Sequence, residues 1–150
     1  MIRSLLLSLF AISISGNAIS QNKSNEEFHG AAATLQQYNA VYILNQSDDK
    51  KIKGLIRNIN NALEDPRLKG KLKIELVAFG EGVELFKRSN HYDTLLMALK
   101  NKGVILAECE NTIREKKINK DELWPFISYV PSGTGEIIIR QSQGWATIHP

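Results

Sequence analysis

The sequence predicts an open α/β fold, a mostly parallel five-stranded sheet with helices on both faces, and three observations carry that expectation. Short apolar or β-branched runs alternate with stretches of helical period along the chain, the arrangement that builds parallel sheets through crossover helices. The clearest helical stretch follows the first run, where Ile52, Leu55, Ile56, Ile59 and Leu63 form one apolar stripe. The first four runs each end in a polar or glycine-rich segment, NQSDD, GEG, ECENT and PSGTG in turn. Right-handed crossovers gather such segments along one edge of the sheet, where open α/β folds place ligands and reactive groups.

From the amino terminus, Arg3, an apolar run over residues 5–14 and small residues at Ala18 and Ser20 read as a secretory leader, residues 1–20, cleaved before Gln21. Its apolar core of about ten residues is half the length a membrane-spanning helix needs. The expectation is a periplasmic or secreted chain with no membrane attachment after cleavage. Residues 21–37 are polar and without period, a flexible arm, and residues 38–150 make the domain. Residues 38–44, YNAVYIL, supply the first strand. Residues 45–49, with Asn45 and Ser47 among them, lead into the first helix, which stops before Pro66 because proline disfavours helical geometry in Asp65.

Residues 72–79, LKIELVAF, form the second strand and run into Gly80, Glu81 and Gly82, a tight turn that allows close backbone approach. A short helical turn at Val83, Leu85 and Phe86 follows. The next helix is expected to start near Ser89 or Asn90, with His91 in its first turn, Tyr92, Leu95, Leu96 and Leu99 as its buried stripe, and Gly103 as its stop. A third strand ends at Cys109, after which Asn111 or Thr112 caps a short helix through Ile113 and Arg114. A break near Asn119 and a turn at Asp121 and Glu122 precede a fourth strand over residues 127–130. The last helix, with Ser132 and Gly133 at its start, runs to Ser142, and residues 145–149 close the chain as a fifth strand.

Composition narrows the function. The net charge is only +3, and the cations are scattered or mixed with acids, as at Asp48, Asp49, Lys50, Lys51 and Lys53, so no nucleic-acid partner is expected. His29, His91, His149 and Cys109 lack ligand spacing, and neither a metal nor another cofactor is expected. PSGTG lacks both the lysine of a phosphate loop and the G-x-S-x-G of a nucleophile elbow. Trp124, Phe126 and Trp145 read as core or subunit contact. With a single cysteine in the chain, no internal disulfide can close, so the thiol is buried, paired with another chain, or kept for chemistry.

The ordered segments LNQSDD, VAFGEGVELF, GVILAECENT and VPSGTGE, ending in a GWATIHP strand, resemble the DsrE/DsrF-like family, which includes the sulfur-relay subunits of the DsrEFH and Tus systems. The likeness spans residues 38–150. It implies a three-layer α/β/α sandwich, assembled as a trimer or hexamer of identical chains. It also implies a cysteine after the mid-chain strand that carries sulfur as a persulfide between donor and acceptor proteins. Cys109 matches that cysteine.

The candidate site is therefore Cys109, with Asn45, Ser47, Gly80, Glu81, Gly82, Asn111, Thr112, Ser132 and Gly133 around it. Persulfide chemistry needs a thiolate, and a free thiol of pKa ~8.5 is mostly protonated at neutral pH. A helix start beside the sulfur favours the anion, whereas Glu108 and Glu110 on either side oppose it. The sequence leaves that balance open. The alternative is a non-catalytic module that binds a small anion or a partner peptide at the strand ends, with Cys109 simply buried.

Overall fold

Five strands form the sheet: β1 (Tyr38–Leu44), β2 (Leu72–Ala78), β3 (Ile105–Cys109), β4 (Ser128–Val130) and β5 (Ala146–Ile148). The computed structural model describes residues 27–150. The expected leader and the start of the arm lie outside the described residues, and residues 27–37 carry neither helix nor strand. The strand order is β4-β3-β2-β1-β5, and every neighbouring pair is parallel. All the strands' carboxyl ends therefore lie along one edge.

Helices α1 (Asp49–Glu64), α2 (Asp93–Asn101) and α3 (Glu110–Glu115) connect β1 through β4, and α4 (Gly133–Ser142) connects β4 to β5. The side chains divide between two cores. Tyr42, Leu44, Ile74, Leu76 and Leu106 of the sheet pack with Ile52, Leu55, Ile56 and Ile59 of α1, Leu96 and Leu99 of α2, and Ile113 of α3. On the opposite face Val41, Val77, Ala107, Val130 and Trp145 pack with Phe79 and with Ile137 of α4. One face is covered by three helices and the other by α4, which makes the three layers of an α/β/α sandwich.

Local chemistry explains the boundaries. Asp48 caps α1 by accepting the Lys51 N–H at 2.9 Å, and Asp65, ahead of Pro66, has left helical geometry with ψ 121°. The Gly80–Phe86 segment winds as a 3-10 helix. Gly82 within it lies so close to the end of β1 that a Cβ there would come within 2.1 Å of the Leu44 carbonyl oxygen, so only glycine fits.

Three expectations are corrected. Helix α2 begins at Asp93, and His91 precedes it at φ 56° as the cap of a 3-10 turn over Arg88–Asn90. Leu95 is 39% exposed, because one residue of helix turns it about 100° from Leu96 and off the stripe that faces the sheet. Helix α3 begins at Glu110, so neither Asn111 nor Thr112 caps it and Cys109 itself occupies the capping position.

Candidate functional site around Cys109

The connections after β1, β2 and β3 lead to helices on one face and the connection after β4 leads to the other. That change of side opens a crevice at the carboxyl ends of β3 and β4, the topological switch point at which open α/β sheets hold ligands. Cys109, the last residue of β3, stands there paired in register with Val130, the last residue of β4. Strand alternation puts Cys109 on the side of Ala107, toward α4, and Glu108 on the side of Leu106, toward the three-helix face.

The thiol is 5% exposed, yet it lines a cleft of about 240 Å³ with Phe79, Gly80, Asn111, Thr112, Ser132 and Gly133. Burial pushes the thiol pKa up. Against it work the backbone N–H groups of Gly133, Thr112 and Asn111 and the Thr112 hydroxyl, and together they hold the thiol below its ordinary value. The hydroxyl is oriented for that role: its Oγ1 accepts the Gly80 N–H at 2.8 Å, which leaves its proton free for the sulfur. Gly133 permits the approach of α4, since a Cβ there would lie 2.9 Å from Cδ1 of Phe79. Ser132 caps the same helix by accepting the Gly135 N–H at 3.1 Å.

The flanking acids do not oppose the anion as their charges imply. Glu108 is fully buried, and no side chain pairs with either of its oxygens. Burial raises its pKa to about 9, with only the adjacent Cys109 backbone N–H working to lower it, so at neutral pH it is an uncharged carboxylic acid. Glu110 is turned away and paired with Lys120 at 2.7 Å. Neither flanking acid therefore sets an unpaired charge against the sulfur.

Of the sequence-derived candidates, Gly80, Asn111, Thr112, Ser132 and Gly133 join Cys109 in the cleft. The others do not. Asn45 bonds the His149 ring at 3.1 Å, Ser47 and Glu81 line a neighbouring polar hollow, Glu81 pairs with Lys116, and Gly82 is packing. Phe79, Glu115 and Thr134 line the cleft without having been expected there. For Glu115 a signal existed, because it stands three residues after Thr112 and four after Asn111, one face of a helix. A separate groove of about 290 Å³, lined by Lys50, Lys51 and Arg57 among others, lies beside α1 and contains no thiol or hydroxyl side chain. Among the described residues no three His, Cys, Asp or Glu side chains group to hold a metal.

Residues 25–150 match the model of the DsrE/DsrF-like family. This chain belongs to that family. The DsrE/DsrF-like assignment agrees with solved structures. MTH1491 of Methanobacterium thermoautotrophicum, a protein of unknown function, is 33% identical, superimposes with a TM-score of 0.71, and is covered over 100% of its length by 76% of this chain. BT1422 of Bacteroides thetaiotaomicron, a conserved protein of unknown function, has a TM-score of 0.61 at 11% identity, with 81% of this chain covering 100% of it; at that identity the likeness is one of fold alone. A search of curated proteins gave no match.

Proposed function

We propose that this DsrE/DsrF-like protein carries sulfur on Cys109 as a persulfide. The observation that supports the proposal is the convergence of the Gly133, Thr112 and Asn111 N–H groups and the Thr112 hydroxyl on a sulfur that faces a cleft. In the loading step the Cys109 thiolate attacks the outer sulfur of a donor persulfide. A new S–S bond forms at Cys109, the donor's S–S bond breaks, and its electron pair leaves on the donor thiolate. An acceptor thiolate reverses the exchange. The N–H donors act on the anion in both directions, so no metal or redox group enters the balance.

Alkylation of Cys109 by iodoacetamide, followed against pH, tests the proposal. The expected apparent pKa lies below the ~8.5 of a free thiol, and Thr112→Val raises it. A wild-type value at or above the free one would sink the carrier role. The low exposure of Cys109 favours a second reading, a module that binds a small anion or partner peptide at the strand ends, with the sulfur serving only in packing.

The proposal extends to the cell and to assembly. Export through residues 1–20 gives a mature periplasmic or secreted chain beginning at Gln21, and a homo-oligomer buries Ile138 and Ile139, which are 60% and 52% exposed on α4.

A further inference from the structure

The Cys109 cleft carries a carboxylate that nothing in the fold explains. Glu115, the last residue of α3, lines the cleft and has no hydrogen bond or salt bridge among the described residues. Of the cations near Glu115, Lys116 pairs with Glu81, Lys120 pairs with Glu110, and Arg114 donates to Asn111 Oδ1 at 2.7 Å, and neither these nor Lys117 line the cleft. No cationic side chain lines the cavity. The N–H groups at its floor are directed at the sulfur, so in the reacting form of the thiol they already face an anion. A second anion entering the cleft therefore meets the sulfur's charge and that of Glu115 with no side-chain cation to balance either.

We propose that Glu115 selects the sulfur partner by charge, so that the cleft admits a persulfide or disulfide borne on a net-neutral or cationic carrier and disfavours small anionic sulfur donors such as thiosulfate. The inference rests on Cys109 being the reacting thiol and names the partner class for that reaction. Glu115 is exposed and packs against no core, so it can be changed without disturbing the fold.

Two methanethiosulfonates of similar size, one bearing a trimethylammonium and one a sulfonate, react by the same exchange, each transferring its thioalkyl group to Cys109 as a mixed disulfide and releasing methanesulfinate. Their rate ratio on the full chain, divided by the ratio for a small neutral thiol, reports the field at the sulfur. The expected ratio favours the cationic reagent. Glu115→Gln lowers it about three- to ten-fold, the effect of one unit charge several ångströms away through a largely aqueous path, and Glu115→Lys lowers it further. Added salt shrinks the wild-type preference. A wild-type ratio equal to that of the small thiol, or one unchanged by Glu115→Gln, overturns the selection while leaving the carrier role standing. Failure of both reagents to modify Cys109 overturns the two together, and a normal reaction with charge selection but no persulfide loading overturns the carrier role alone.

Discussion

Glu75 on β2 and Glu108 on β3 are equally deep carboxyls, 1% and 0% exposed, on opposite faces of one sheet. Glu75 faces α4, whose Arg140 places Nε 2.6 Å from Glu75 Oε2 and 2.8 Å from Glu136 Oε1, with the guanidinium 4.4 Å from the Trp145 ring. Burial still raises the Glu75 pKa, helped by Glu136 and opposed by Arg140. Glu108 faces the side covered by three helices, and no cation reaches it. It keeps its proton instead. The same side chain at the same depth is thus an ion-pair partner on one face and a neutral acid on the other, decided by what the covering helices bring. Cys109 benefits from both outcomes. The Arg140 pairs hold α4, whose first N–H reaches the sulfur, and the neutrality of Glu108 removes a charge that would oppose the thiolate.

The comparison breaks most sharply at Arg140. Arg140→Ala strands Glu75 in the sheet without its partner and is expected to cost about 3–5 kcal/mol in denaturant unfolding. A loss under about 1 kcal/mol would mean that water already shares the Glu75 charge.

Glu108→Gln should act in the opposite sense, through pH. The folded-state pKa of Glu108 is raised from 4.5 to about 9. Between those values the native state holds a proton that the unfolded chain has released. The contribution of Glu108 to stability is therefore complete below the unfolded pKa and is lost as pH rises toward 9, at about 1.4 kcal/mol per pH unit. The Gln variant lacks this slope, so it should overtake the wild type as pH rises and exceed it by roughly 2–4 kcal/mol at pH 8. Parallel stability curves between pH 5 and 9 would refute the buried neutral acid. The smallest effect is expected at the sulfur itself. Cys109→Ser should change stability by less than about 1.5 kcal/mol, and a larger drop in thermal midpoint would favour packing over carriage.

Much of the frame was legible in the residues. Strand β1 covers the expected run because polar residues bound it on both sides, and α1 was marked by a stripe, an acidic start and a proline stop. The start of α3 was not legible, since no Ser, Thr, Asn or Asp stands at its cap and the helix follows directly from a strand that pairs on both sides. Site membership was legible only in part. Gly80, Thr112 and Ser132 follow adjacent strands β2, β3 and β4. Asn45 and Ser47 follow β1, which lies two strands from β3 in the sheet order, roughly 10 Å at the usual spacing. Lining up loops along an edge does not say which loops touch, because that depends on strand order.

What the sequence determined alone was most of the elements and the presence of one thiol at the end of a strand, since periodicity, caps and composition are local properties of a chain. The family was read from the order of segments that resemble it. The tertiary structure decided the charge state around that thiol. A field at a sulfur sums over groups distant in sequence, here Gly80, Gly133 and a carboxyl that folding deprives of both water and a cation, and no local pattern contains that sum.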